Sequence, residues 1–328
     1  MSIAVDAMGG DNAPEQIVAG CVHASHLVKN AIILVGDPNR IEPLLPSPCP
    51  HKITIHPASE IIEMAEKPID AIRKKKDSSM VVAAALVKEK VARAMVSAGN
   101  TGAATASSLL SWRQMQGVHR PAIASPMPNR HGGFLLLDAG ASPDVDPEHL
   151  VEFALMGRAY AQTVMGRANP KVHLLNIGEE EGKGNAFAKQ SYQLLAKHSW
   201  FSGNIEGKDM FSQPCDVVVC DAFVGNIVLK TSEGIGEFIL NMIKEQVPSN
   251  KLARIPYLPL KKIMAPLIKT ADYAETGGSP LLGLNGLCII CHGRSNAKAI
   301  MNAVKLADRA IEQHLLEAIQ SSFQNELG

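Results

Sequence analysis

The sequence predicts an open α/β sheet of Rossmann-like type, built from strand–loop–helix units, and three features predict that class. Four apolar runs end in small polar or glycine residues and lead into helix-compatible segments: Ile3-Ala4-Val5, Ala92 to Ser97, Val172 to Leu175, and Val217-Val218-Val219-Cys220. The counts of Gly 26 and Pro 20 imply many tight turns, while aromatic content is only 4%. A length of 328 residues allows one substantial core or two linked ones, and the chain reads as a single α/β domain, 1–328. In such sheets ligands bind where strand-end loops meet helix N-termini, because unpaired N–H groups there can hold an anion.

The first unit opens with strand Ile3-Ala4-Val5 and turns through Asp6 to Pro14 into a helix reaching about His26, with Asn12 or its neighbour as cap. Tandem Gly9-Gly10, flanked by Asp6 and Asp11, would let the backbone curl around a small anion. The dinucleotide fingerprint GxGxxG is absent. Ala31 to Val35 is a second strand, and the segment from Arg40 to Pro57, with five prolines including Pro57, leaves room for one short strand, Lys52 to Ile55. The helical segment Ala71 to Lys76 holds the densest basic run, Arg73-Lys74-Lys75-Lys76, which reads either as a solvated face or as a dock for an acidic partner. Ser79 to Lys88 suits a packed helix. After Ala92 to Ser97, the tract Asn100-Thr101-Gly102 stands at the mouth of helix Ala103 to Met115 and offers a second anion-holding nest, compatible with ordinary capping.

Phe134 to Leu137 predicts a buried strand ending at Asp138, a position used by catalytic and structural carboxylates alike, and Pro147-Glu148 starts a helix to about Met165. The run Val172 to Leu175 delivers a loop with Lys183 between two glycines, and Asn185 is placed to cap helix Ala186 to Lys197. The clearest strand, Asp216 to Asp221, leads to Asn226 as expected cap of helix Ile227 to Leu240. Between Phe238 and Ile268, apolar residues, lysines and prolines alternate, which suits a helical hairpin (238–268) whose apolar tip needs a second subunit, a membrane surface or core packing. A late strand, Leu287 to Cys291, exits at His292, where acid/base chemistry and a structural hydrogen bond are equally open readings.

Lys+Arg 32 against Asp+Glu 32 gives no net charge and no support for nucleic-acid binding. Cys288 and Cys291 lie three apart on a strand, hence on opposite faces, so buried free thiols fit better than a metal pair. The start Met1-Ser2-Ile3-Ala4-Val5-Asp6 lacks a basic region followed by a long apolar core, and no apolar run reaches the ~20 residues of a spanning helix, so a cytoplasmic chain that touches a membrane surface is expected.

The opening Ile3-Ala4-Val5-Asp6-Ala7-Met8-Gly9-Gly10-Asp11 resembles that of bacterial phosphate acyltransferases, the acyl-carrier-protein phosphate transacylases of phospholipid synthesis. Ser97-Ala98-Gly99-Asn100-Thr101-Gly102-Ala103, the Lys183 stretch, Asp216 to Gly234 and Gly277 to Ala299 resemble that family's later landmarks in order, so the resemblance covers essentially the whole chain. It implies an isopropylmalate-dehydrogenase-like fold, transfer of a fatty acyl group from acyl carrier protein to inorganic phosphate, a homodimer, and work at the inner membrane face beside a glycerol-3-phosphate acyltransferase. No nicotinamide or metal cofactor is expected. Gly182, Ser142 and Asp146 depart from the family's usual residues, which bears on local mobility and carrier contacts.

On that resemblance, Asp6, Gly9, Gly10, Asp11, Asn100, Thr101 and Gly102 are the phosphate-binding candidates, and Arg73 to Lys76 the carrier dock. Lys183 would neutralise charge and polarise the thioester carbonyl, Asn185 or Asn226 would add a donor, Asp221 would orient Lys183 or a water, and His292 would protonate the leaving thiolate. Cys220 is the rival covalent nucleophile. The competing classes are a metal-dependent dehydrogenase-like enzyme, which would need Asp6, Asp138 and Asp221 to converge, and a nonenzymatic lipid-synthesis scaffold resting on 238–268.

Overall fold

The computed structural model describes residues 1–245 and 273–327. The first half of the chain runs β1 (Ser2–Asp6), α1 (Glu15–Ser25), β2 (Ala31–Gly36), α2 (Pro38–Ile41), β3 (Ile53–Pro57), α3 (Pro68–Lys74), α4 (Ser79–Lys88), β4 (Ala94–Ser97), α5 (Thr101–Trp112), β5 (Ala122–Ile123), β6 (Ser125–Met127), β7 (Phe134–Leu137) and α6 (Pro147–Thr163). It continues with β8 (Val172–Asn176), α7 (Ala186–Leu195), β9 (Phe201–Glu206), β10 (Val217–Val219), α8 (Ala222–Glu245), α9 (Tyr273–Thr276), β11 (Ser279–Leu282), β12 (Leu287–Ile290), α10 (Ala297–Glu312) and α11 (Leu315–Leu327).

The strands form two open sheets where the sequence suggested one, in the orders β3-β2-β1-β4-β12-β11-β5 and β6-β7-β10-β8-β9. Strand periodicity is the same in either arrangement, and only the pairing partners separate them. Parallel pairing dominates both sheets, with antiparallel edges at β11, β5 and β6. Their short strands read as continuous apolar runs because both faces are covered. Ile3 and Val5 enter the same core as Leu135, Leu137, Val217 and Val219, so one apolar layer joins the two sheets. Ala4 faces a second core with Met80 and Ala103, and Phe134, Leu136 and Val218 a third. Cys288 and Cys291 fall into different cores, as their spacing on one strand requires.

The chain crosses between the sheets from β5 to β6, and Asp138 is the clamp at that crossing. Its fully buried carboxylate accepts from the backbone N–H groups of Ile123, Gly140, Ala141 and Ser142, at 2.7 to 3.2 Å. Of its two sequence readings, the structural one is therefore the one realised. A side chain at Gly225 would collide with the Asp138 carbonyl oxygen, which explains a glycine in the first turn of α8.

Several sequence expectations shift. Asp221, not Asn226, caps α8, accepting from Phe223 N at 2.9 Å and Val224 N at 3.0 Å, and Asn226 lies inside the helix. Aspartate directly after a strand caps as well as asparagine, so the helix starts earlier than its apolar period suggested. No side chain caps α1, and Asn12 instead donates to Arg294 O and Ser295 O. Of the expected hairpin, 238–245 forms the end of α8, and 246–268 lies outside the described residues. No described helix is long and apolar enough to cross a membrane.

Candidate active site

Three strand-end loops of the first sheet are tied together. At the end of β1, buried Asp6 accepts from Ser79 Oγ at 2.6 Å and Ser97 Oγ at 2.7 Å, while Ser97 Oγ accepts from Gly99 N at 3.1 Å. Burial pushes the Asp6 carboxyl above the usual range against the opposing pull of these hydrogen bonds. A Cβ on Gly9 would strike Asp6 Oδ2 and come within 3.0 Å of Gly99 Cα, so the two turns approach because neither carries a side chain there. Asp11 N donates to Gly293 O at 2.8 Å, joining the His292 loop to the pair. Asp6 is thus a buried support beneath the loops, not a group presented to a ligand.

Asn100 uses its whole amide. Oδ1 accepts from Ala103 N at 3.0 Å, capping α5, and Nδ2 donates to Met64 O at 2.9 Å and Glu66 O at 3.0 Å. Both Nδ2 hydrogens are thus engaged within the chain, and exposed Thr101 and Gly102 stand at the helix start.

Beside these loops lies a cleft of about 700 Å³ between the sheets, roofed by α8. Thr101, Asn226, Lys230 and His292 are among its polar walls, and Ile123, Met127, Phe211, Leu229 and Ile235 among its apolar ones. His292 Nδ1 accepts from Arg294 N at 3.1 Å, which places the proton of the neutral ring on Nε2. Desolvation, then the Lys230 ammonium, hold its pKa below the ordinary value, so the ring is neutral at pH 7. Lys230 pairs with Glu233 at 2.8 Å on the same helix face. Sequence reading missed Lys230 and Glu233, which share a face with Asn226 at helical spacing once α8 starts at Ala222.

Lys183, Asn185 and Asp221 are not among the residues lining the cleft. Lys183 is 48% exposed, its ammonium 3.7 Å from Glu180, and Asn185 caps α7 through Ala188 N at 2.8 Å. Asn176 Nδ2 holds Lys183 O at 3.2 Å and Asn204 Nδ2 holds Glu180 O at 2.9 Å, so the loop is anchored by its backbone while the lysine side chain stays outside. In the basic run, Arg73, Lys74 and Lys76 are exposed, but Lys75 is a staple, donating to Glu66 Oε2 and Ile61 O at 2.6 Å each. Pro68 of α3 lies against Gly102, where a Cβ would be 2.6 Å from its ring, so the basic helix abuts the cleft mouth.

Cys220 is buried, and its thiol pKa is pushed well up by desolvation and by Asp221 and Asp138, which keeps it from the thiolate form a nucleophile needs. Among the described residues no three His, Cys, Asp or Glu side chains gather as a metal site, and Asp6, Asp138 and Asp221 are each engaged separately.

The fold places the chain in an α/β class shared with phosphotransacetylases. It superposes on that of Streptococcus pyogenes with a TM-score of 0.63 at 17% identity, covering 95% of this chain and 94% of that one. The EutD phosphotransacetylase of Staphylococcus aureus gives 0.62 at 13% identity, covering 94% and 93%. At sequence level, residues 1–318 match the family described as "Fatty acid synthesis protein". The phosphate acyltransferase of Desulfitobacterium hafniense (strain DSM 10664 / DCB-2) is 49% identical over 323 residues, covering 98% of this chain and 97% of the relative. That of Heliobacterium modesticaldum is 49% identical over 324 residues with the same coverage. The chain belongs to this family of phosphate acyltransferases.

Proposed function

We propose that the chain transfers a fatty acyl group from acyl carrier protein to inorganic phosphate, giving acyl phosphate for phospholipid synthesis. The observation that carries this reading is one cleft in which polar groups, Thr101 at the start of α5, Asn226 and Lys230 along α8 and His292 beyond β12, adjoin an apolar recess. A phosphate oxygen attacks the thioester carbonyl carbon, the C–S bond breaks, and the proton lost by hydrogen phosphate is the one the carrier sulfur gains. That proton passes from the hydrogen phosphate to the departing sulfur, to which neutral His292 donates a hydrogen bond from Nε2–H, while the start of α5 and Lys230 hold the phosphate. Lys183 enters as an electrostatic donor by turning its exposed side chain, set between glycines, toward the occupied cleft while the loop backbone stays tied to Asn176 and Asn204. Acyl-phosphate formation from acyl carrier and phosphate, unaffected by nicotinamide or chelator, is the expected result; dependence on either one would overturn the reading.

Carrier docking on α3 is supported by exposed Arg73, Lys74 and Lys76 beside the Thr101 mouth, opposite in charge to an acidic carrier. We further propose a cytoplasmic homodimer associated with the inner membrane face and its glycerol-3-phosphate acyltransferase. Phe238, Ile239 and Met242, each at least half exposed at the end of α8, support it. Phe238→Ser with Met242→Ser should weaken flotation with anionic liposomes; unchanged flotation of a dissociated dimer would assign those side chains to the subunit interface alone.

A further inference from the structure

We infer that the Phe211 and Met127 end of the cleft is a gauge that sets acyl-chain length, an inference resting on the acyl-transfer reading above. The polar walls at Thr101 and His292 belong to first-sheet loops, whereas Met127 ends β6 and Phe211 follows β9, both in the second sheet. A thioester carbonyl held near His292 therefore sends its chain along Ile123 and Leu229 toward those two side chains.

The end wall is built to keep its shape. Phe211 meets Phe134 edge-on, with ring centroids 6.0 Å apart at 75°, and Phe134 is fully buried in β7. Its backbone is held as well, since Phe211 O accepts from Arg130 N at 3.3 Å. Met127 is buried between Pro126 and Pro128, and both side chains lean on the core of Leu136 and Val218. A wall held from behind measures a chain, because each methylene either finds apolar contact or meets a ring that cannot yield.

The test compares kcat/KM for medium-chain and very-long-chain saturated acyl carriers in the parent, Phe211→Ala and Phe211→Trp. Shortening the side chain should raise the long-to-medium ratio by roughly tenfold, and enlarging it should lower the ratio similarly, with the KM for phosphate unmoved. A ratio that stays put in both variants, each melting like the parent, overturns the gauge. Should Phe211→Ala fail to fold, Phe211→Leu and Met127→Phe carry the same opposed expectations. A parent that forms no acyl phosphate from any chain length would instead reject the acyl-transfer reading itself.

Discussion

Two strand-end loops of this molecule carry nearly the same sequence signature and are held in opposite ways. The tract Ala98 to Gly102 and the loop Asn176 to Asn185 both combine glycines with an asparagine that caps the next helix, through Ala103 N and Ala188 N respectively. The first is braced by Asn100 to Met64 and Glu66 and supported from below by Asp6, Ser79 and Ser97. The second leaves Glu179, Glu180, Glu181 and Gly182 exposed and is tied by its backbone to Asn176 and Asn204 and by the Glu179 carboxylate to Gln213. Local sequence specifies a cap, whereas long-range partners decide whether a loop is a buried wall or an exposed arm.

That contrast predicts a separation of effects, largest at Lys183. Lys183→Ala should lower turnover on the order of a hundredfold, about 3 kcal/mol of transition-state stabilisation, with the melting temperature unchanged. Near-parental turnover at saturating substrates would make the arm irrelevant to chemistry.

On β8, the strand that leads into that arm, His173 is half-buried with an enclosed Nδ1 that has no hydrogen-bond partner, and desolvation lowers its pKa to about 4. The unfolded chain takes up this proton near pH 6.5, so the stability from keeping the ring neutral is full above that pH. It is lost progressively down to about pH 4, in all about 2 kcal/mol after allowing for partial exposure. Urea denaturation of the parent against His173→Gln should show this pH-dependent loss in the parent only.

In the buried wall, Asn100→Ala should act on folding first. Losing the cap and stranding two carbonyls costs about 2 kcal/mol, read by chemical denaturation. A variant as stable as the parent would show that the wall is not braced through that amide.

The smallest effect concerns the surface beside the wall. Reversing Arg73, Lys74 and Lys76 to glutamate should reduce turnover several-fold at limiting carrier and little at saturation, fading with salt. Lys75 is left intact, since its pairing with Glu66 would confound the result.

The strand-loop-helix units, the caps at Asn100 and Asn185 and the exit of His292 were legible because they follow from local periodicity and turn chemistry. The division into two sheets was not, because parallel strands buried on both faces read alike whichever neighbour they pair with. Asp6 read as a ligand because a carboxylate after a strand looks the same whether it meets solvent or the Ser79 and Ser97 hydroxyls. Lys230 carries no such signal, because a cap expected at Asn226 puts that residue outside the helix and hides the face it shares with Lys230 and Glu233.

The claim that phosphate attacks the thioester directly in this cleft meets its sharpest test in a single turnover with enzyme in excess over radiolabelled acyl carrier. Without phosphate, the label should stay on the carrier; on adding phosphate, it should pass to acyl phosphate in one phase, with one carrier thiol freed per product. Release of carrier before phosphate is added, with label bound to the chain at Cys220, would contradict the account.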